Sequence, residues 1–137
     1  MKQLTLFQLI ALTILALCVA CTGKNSDNTR VLSINDIKSD PLSFTGEITI
    51  SGVASAFSEN DTTFFAIMDT AELMACKNLY CGAFALPVQY TGDNPLPDLA
   101  DVVDMNGSFV QTENGIYFSV REFEVKRNIM RYLTNTF

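Results

Sequence analysis

Two cysteines in the middle of the chain, Cys76 and Cys81, are the side chains best able to do chemistry. Four residues separate them, and a loop of that length can close into a disulfide, which is a structural bond in an oxidising compartment. A ring this short stabilises a fold by about 2 kcal/mol in the loop-entropy estimate. A redox-active pair and half of a metal site remain as alternatives. We favour the structural disulfide because redox pairs usually have two intervening residues and zinc needs four ligands.

Acidic side chains cluster before a predicted strand, where oxygen ligands at this density could hold calcium. They are Asp93, Asp98, Asp101 and Asp104, accompanied by the amide side chain of Asn94. Their spacing matches no calcium-binding loop, and acidic loops are ordinarily solvated. The chain has no histidine, no nucleophile elbow and no phosphate-binding glycine loop, so it lacks the usual catalytic groups. The sequence therefore predicts a protein that is not an enzyme and that has no metal and no cofactor.

Aromatic and basic side chains are the remaining candidates for binding. The candidate ligand-binding residues are Tyr80, Tyr90, Tyr117 and Arg121, with Phe123 beside them. Aromatic side chains on a small barrel can stack on ligands, but aromatic residues at strand spacing are more often part of a core. The one basic concentration consists of Arg121, Lys126, Arg127 and Arg131. It could meet an acidic partner or lipid headgroups, or it could simply be solvated.

The N-terminus has the pattern of a secretory signal peptide. Lys2 precedes an apolar run over residues 4–19, and the small residue Ala20 follows it. The ending Leu17-Cys18-Val19-Ala20-Cys21 resembles a bacterial lipobox, although leucine stands one position early. This resemblance implies cleavage after residue 20 and lipidation of Cys21 with fatty acyl chains such as palmitate. The alternative is a retained transmembrane helix, for which the run is short and interrupted by polar residues.

The lipobox resemblance also predicts the domain organisation and the location. Residues 1–20 would be the signal peptide, 21–30 the lipidated cysteine with a polar tether, and 31–137 the folded domain. The protein would be anchored by lipid to the cell envelope, facing the periplasm or the exterior, at the outer membrane if the organism has one. The whole chain has 9 basic and 15 acidic side chains and a formal charge of −6. Because phosphate backbones repel such a domain, nucleic acid is an unlikely partner.

Hydrophobic periodicity predicts five strands and few helices. The strands are expected at Gly46–Phe57, Thr62–Met68, Ala83–Thr91, Val102–Val110 and Ile116–Val125. Short helices are expected after Ser33, at Asp69–Ala75 and at Lys126–Phe137. Gly52 stands where the apolar parity of the first strand changes, so we expect that strand to bend there, with Val53 and Phe57 continuing the apolar side. Pro87 places the third strand at an edge or a break.

Three smaller expectations concern the end of the barrel, the last hairpin and the C-terminal segment. Val31, Leu32, Ile34 and Ile37 should close one end of a barrel. Asn114-Gly115 should form the turn of a hairpin between the last two strands. In the C-terminal segment, Ile129, Met130 and Leu133 should dock on the domain.

Five strands with a bent first strand predict an all-β, five-stranded OB-fold, a Greek-key barrel with one or two short helices. The residues that sharpen this are Val88, Tyr90, Gly92, Pro95, Val102-Val103, Gly107 and Asn114-Gly115. Over Gly46 to Lys126 they resemble the CcmE family, the periplasmic heme chaperones of cytochrome c maturation. That family attaches heme through a histidine after the last strand, near where Lys126-Arg127 stand here. Since this chain has no histidine, the resemblance implies the fold and not heme attachment.

The chain also resembles, more distantly, small bacterial OB-fold domains grouped with tRNA-binding ones, although its charge argues against nucleic acid. The leading hypothesis is an envelope lipoprotein whose OB-fold domain is a non-catalytic binding module for an unknown envelope protein or a small ligand. The alternative is a cofactor-handling or redox accessory protein of the cytochrome-maturation type.

Overall fold

The strands and helices follow one another in an order that closes a barrel. A computed structural model describes residues 30–79 and 84–133. The strands are β1 (Leu32–Ser33), β2 (Ile48–Phe57), β3 (Phe64–Met68), β4 (Ala85–Tyr90), β5 (Asp101–Thr112) and β6 (Gly115–Asn128). The α-helices are α1 (Ile34–Ile37) and α2 (Thr70–Cys76), and single 3-10 turns lie at Pro41–Ser43 and Met130–Tyr132.

Five of the strands form a closed ring in the order β2-β3-β4-β6-β5, with β5 returning to β2. The β4–β6 pair is parallel, and the other pairs in the ring are antiparallel. The short β1 adds to the outside of the ring, parallel to β2. A five-stranded Greek-key barrel of this order is an OB-fold. The predicted fold class is therefore confirmed.

The bend of β2 joins the two sides of the barrel. Residues 48–53 pair with β5 and residues 53–57 with β3, so the strand changes partner at Val53. The extra residue of the bulge is Ser55 rather than the predicted Gly52, because the register with β3 shifts between Ala54 and Ala56. Gly52 is nevertheless tightly enclosed, since an added Cβ would lie 3.0 Å from Ile67. The bend is confirmed, and its position is corrected by three residues.

Two apolar clusters fill the molecule. The barrel interior contains Ile50, Val88, Met105 and Phe118, and the buried Ile34 and Ile37 of α1 close one end of it. A second cluster lies beneath α2 and includes Val53, Leu73, Val102 and Ile129. Burying each large aliphatic or aromatic side chain contributes about 1.5–3 kcal/mol. Two predicted positions were wrong, because Val31 is 46% exposed and Phe57 is 39% exposed.

Helix α1 begins as the sequence predicts. The Ser33 hydroxyl accepts a hydrogen bond from the Asp36 N–H, and the Asp36 carboxylate accepts one from the Ser33 N–H in return. This reciprocal cap satisfies two backbone donors that the helix leaves unpaired. The backbone hydrogen bond from Ser33 is the main reason that the pKa of Asp36 lies below its usual value.

Helix α2 is capped by Asp69, whose side chain accepts hydrogen bonds from the N–H groups of Ala71 and Glu72. The Glu72 carboxylate binds the ammonium of Lys38, the residue that follows α1, at 3.0 Å. The two helices are therefore linked by a salt bridge.

The C-terminal part of the chain differs from the prediction. β6 continues to Asn128, and a single 3-10 turn at Met130–Tyr132 replaces the expected helix. Ile129 and Leu133 are buried and Met130 is partly buried, so the predicted docking is confirmed. The strand is longer because its pairing with β5 continues past Val125 as far as Asn128, which stands opposite Asp101.

The boundaries of β3 and of the hairpin turn are also corrected, whereas Pro87 lies where the sequence predicts. β3 begins at Phe64, because Thr62 and Thr63 belong to a turn held by Asp61. The hairpin turn is Glu113-Asn114, because Gly115 is already part of β6 and pairs with Thr112 of β5. Pro87 lies in the part of β4 that pairs with β3 only, as expected for a residue without an N–H.

The predicted signal peptide, tether and lipidated Cys21 fall on residues 1–29, which lie outside the described residues. Within 30–79 and 84–133, no helix has the length and the apolar character needed to cross a bilayer.

Candidate functional site

The outer surface of β3, β4 and β6 is unusually rich in apolar side chains. In β3, Phe65 and Ile67 point into the core, so Phe64 and Ala66 must point outward. In β4, Leu86, Val88 and Tyr90 are buried, while Ala85 and Pro87 are exposed. The alternation that builds the core therefore places a second set of apolar residues on the outside.

Phe64, Pro87 and Tyr117 of this outer set form one continuous surface with Phe57 and Ile116 near the strand ends. We name this surface the aromatic face. Phe64 and Tyr117 meet edge to face, with their ring centroids 5.5 Å apart. Phe57 stacks on Phe65 at 6.2 Å. Contacts of this kind hold the exposed rings in place, so that a ligand would meet a surface that is largely preformed.

Two clefts lie on the aromatic face and share Phe64 and Pro87. One has a volume of about 350 Å³ and extends to the hairpin at Asn114 and Gly115. The other has a volume of about 250 Å³ and extends to Phe57. No charged side chain lines either cleft. Ligand sites typically combine such apolar walls with a few polar groups.

The larger cleft exists because two strands separate. β4 and β6 pair only over Val88–Tyr90 and Phe118–Val120. Before these residues, β4 continues against β3 alone and β6 against β5 alone. Between the separated ends lie Pro87 and Tyr117, which line the cleft from opposite sides.

The structure divides the predicted ligand-binding residues among different environments. Tyr117 lies on the aromatic face, whereas Arg121 lines a separate polar cleft. Tyr90 is only 4% exposed; its ring packs edge to face on Phe123, and its hydroxyl accepts a hydrogen bond from the Asn94 N–H. Tyr90 therefore belongs to the core, which was the alternative interpretation. Tyr80 lies outside the described residues.

Sequence reasoning missed Phe57 and Phe64. The signal for Phe64 was the pair Phe64-Phe65 within one strand, because successive residues of a strand point to opposite faces. One ring of such a pair must therefore be outside. Phe57 was assigned to the core; it shares the side of the sheet of its direct partner Phe65, but it is the last residue of β2 and is 39% exposed there.

The acidic cluster is largely engaged within the fold. Asp101 accepts hydrogen bonds from the Asp98 N–H and from the Asn128 side chain. Asp104 lies 3.5 Å from the Lys126 ammonium. Among the residues that the structure describes, no three acidic or cysteine side chains form a group that could hold a metal ion.

The structure describes only one of the two cysteines of the predicted disulfide. Cys76 is the last residue of α2, and its Sγ lies 3.4 Å from the Asn78 carbonyl oxygen. Cys81 lies outside the described residues. The Cys76–Cys81 bond stays a prediction.

The basic concentration is not one uniform patch. The Lys126 ammonium binds the Glu124 carboxylate at 2.7 Å, and this hydrogen bond is the main reason that the pKa of Lys126 lies above its usual value. The Arg131 guanidinium lies over the ring of Tyr132, 4.7 Å from its centroid. These contacts favour the solvated interpretation for Lys126 and Arg131.

Comparison with known proteins gives similarity in fold only. No family model and no curated protein matches the chain. A solved structure of a replication protein A heterotrimer bound to ssDNA is 15% identical over 76% of this chain and 85% of that chain, with a TM-score of 0.49. The S. pombe Stn1-Ten1 complex is 14% identical over 63% of this chain and 62% of that chain, with a TM-score of 0.37. The OB-fold assignment rests on the strand order of the barrel.

Proposed function

We propose that this protein is a lipid-anchored envelope protein whose OB-fold domain is a non-catalytic binding module. Its aromatic face would bind an extended, apolar segment of a partner protein. The observation that carries the proposal is the uncharged pair of clefts that meet at Phe64 and Pro87 on an otherwise acidic chain. The envelope location is supported by the apolar run at residues 4–19 and by the lipobox-like ending at Cys21.

An extended segment fits this face because of the separation of β4 and β6. From Gly115 to Tyr117, β6 pairs with β5 on one side, and no strand among the described residues pairs with it on the other. A strand with one open side can pair with an incoming extended chain, while neighbouring pockets select its side chains. The partner's backbone would bond to β6, and its apolar side chains would fill the cleft between Pro87 and Tyr117.

Charge supports a protein segment over nucleic acid. Binding to a phosphate backbone requires lysine and arginine side chains that neutralise its charge. No lysine or arginine side chain lines the clefts of the aromatic face. The chain as a whole carries a formal charge of −6. Aromatic rings alone can stack on bases, so single-stranded DNA is a necessary competitor in the test.

The test is site-specific photocrosslinking of the full chain in its host envelope. A photoreactive phenylalanine analogue replaces Tyr117 in one variant and Arg127, on the far part of β6, in the control. We expect one crosslinked protein from the Tyr117 position, joined through an extended apolar segment that mass spectrometry identifies. Adding Phe64→Asp should abolish that product, while the Arg127 position should not give it.

Three results would contradict the proposal. Equal crosslinking from both positions would show that the aromatic face is not selective. Saturable binding of oligo(dT) that Phe64→Asp removes would favour nucleic acid, and a heme absorbance shift removed by the same change would favour the cofactor-handling alternative. The anchor is tested separately: an alkyne analogue of palmitate should label the protein and fail to label a Cys21→Ala variant.

A further inference from the structure

Strand β6 contains two bulges, and each has a basic residue as its extra residue. The register with β5 shifts between Asn106 and Gly107, which leaves Arg121 unpaired, and again between Val102 and Val103, which leaves Lys126 unpaired. A bulge turns the strand and redirects its side chains. It also changes which residues face the core.

Close packing of glycines fixes the bulge at Arg121. A Cβ atom added at Gly107 would collide with the Ser119 carbonyl oxygen. A Cβ atom added at Gly92 would collide with the carbonyl oxygen of Arg121 itself. The backbone therefore approaches the bulge on both sides at a distance that only glycine allows. The position of Arg121 is set by the fold around it.

The two basic bulge residues differ in their partners. Lys126 binds the carboxylates of Glu124 and Asp104. Arg121 forms no salt bridge with any carboxylate in the part of the chain that the structure describes. It instead lines a cleft of about 420 Å³, which we name the polar cleft. Glu47, Ser108, Ser119 and Glu122 also line the polar cleft.

The side chains of the polar cleft define the chemistry of a ligand. A guanidinium presents a planar fork of donors that matches a carboxylate or a phosphate group. Glu47 and Glu122 also lack a salt bridge among the described residues, and their carboxylates can accept hydrogen bonds from an ammonium group. The same two carboxylates repel a ligand that carries several negative charges. Ser108 and Ser119 add hydroxyl groups to the lining of the polar cleft.

We propose that the polar cleft binds a small zwitterion, with one anionic oxygen group on Arg121 and an ammonium group near Glu47 and Glu122. Two sources share this chemistry, a free amino acid and the ethanolamine headgroup of a phospholipid. The polar cleft has no lining residue in common with the aromatic face. This site is therefore independent of the partner binding proposed above.

The test is calorimetric titration of the full chain in a non-ionic detergent. The probes, titrated at about pH 5 so that a phosphate monoester carries about one negative charge, are phosphoethanolamine, which has both an anionic and an ammonium group, and inorganic phosphate and ethanolamine, which each have only one of the two groups. We expect saturable binding of phosphoethanolamine and at least tenfold weaker binding of either single-charge probe. Arg121→Gln should weaken phosphoethanolamine binding at least tenfold, while the matched change at the other bulge, Lys126→Gln, should leave it unchanged.

A second variant separates the two halves of the cleft. Replacing both Glu47 and Glu122 with glutamine should remove the preference for the zwitterion and strengthen the binding of inorganic phosphate. Serine and a short-chain, monomeric phosphatidylethanolamine then distinguish the sources, and tighter binding of either one supports the proposal. The proposal is overturned if none of these zwitterions binds saturably, or if Arg121→Gln binds them as well as the parent chain.

Discussion

The carboxylate of Asp69 accepts a hydrogen bond from the backbone N–H of Asn35 at 3.1 Å, across 34 residues of sequence. Asn35 lies in the first turn of α1, and the other oxygen of Asp69 caps α2 through Ala71 and Glu72. One buried carboxylate therefore satisfies donors at the beginnings of both helices. It holds α1, which closes the barrel, against α2, which covers the second apolar cluster.

Replacing Asp69 should therefore lower the stability of the fold. Asp69→Ala removes three hydrogen bonds and leaves the Asn35 N–H without its acceptor, and we expect it to lower the free energy of unfolding by about 2–3 kcal/mol. Urea denaturation followed by circular dichroism measures this. Asp93→Ala, in an exposed loop, is the control and should change stability by less than about 0.5 kcal/mol. Equal effects of the two changes would show that the carboxylate does not link the helices.

Gly107 provides a test of the bulge that positions Arg121. Gly107→Ala places a Cβ atom against the Ser119 carbonyl oxygen, which is part of the paired backbone and cannot rotate away. We expect a loss of more than about 3 kcal/mol of unfolding free energy. Gly115→Ala is the matched control, because it meets no atom within 4 Å and is strained only by its φ of +135°, and its cost should be smaller, about 1–3 kcal/mol. A mild effect at Gly107 would mean that the β5–β6 register can shift.

The sequence predicted the fold better than the surface. Strict alternation along β4 places Leu86, Val88 and Tyr90 on one face, and the structure buries all three. Ser33 and Asp69 also cap helices, and Pro87 lies where β4 pairs with β3 only, as the local chemistry of each residue dictates. These features depend on neighbours in sequence, so a single sequence contains them.

The candidate sites depend instead on strand partners far away in sequence. The residues near Arg121 in the sequence do not indicate a bulge, because the extra residue is defined only by the pairing of β6 with Asn106 and Gly107 of β5. Likewise, periodicity could not show that β4 and β6 separate between Pro87 and Tyr117. The same limit explains why Tyr90 and Tyr117 were grouped together, although one lies in the core and the other on the aromatic face.

The turn before β3 predicts a specific dependence on pH. The Thr63 hydroxyl donates to the Asp61 carboxylate at 2.6 Å and the Thr63 N–H donates at 2.9 Å. These hydrogen bonds, the hydroxyl first, hold the pKa of Asp61 below its usual 3.8. A lowered folded-state pKa means that the stabilisation is complete above pH 3.8 and is lost as the pH falls through the folded-state value.

Removing the hydroxyl should reduce this dependence. In Thr63→Val the pKa of Asp61 should rise towards its usual value without reaching it, because the backbone donor remains. Carboxyl NMR titration of both proteins measures the two pKa values. Thr62→Val, one residue earlier and outside these hydrogen bonds, should leave the pKa of Asp61 where it is in the parent chain. A Thr63→Val value below that of the parent would contradict the proposed cause.

The predicted Cys76–Cys81 disulfide can be tested through the residue that follows Cys76. Lys77 is exposed and adopts a left-handed conformation with φ of 56°, which ends α2. Trypsin cleaves after lysine, so digestion without reductant should cut the chain between the two cysteines. If the bond is present, the two resulting peptides stay joined and separate only when a reductant is added.

Stability distinguishes a structural bond from a redox-active one. A double Cys76→Ser, Cys81→Ser variant should lose about 2 kcal/mol of unfolding free energy, because the ring no longer restricts the unfolded chain. A structural bond should also resist glutathione at the potential of an oxidising compartment, whereas a redox-active pair would be reduced there. Two separate tryptic peptides in the absence of reductant would reject the disulfide and return the pair to the list of possible metal ligands.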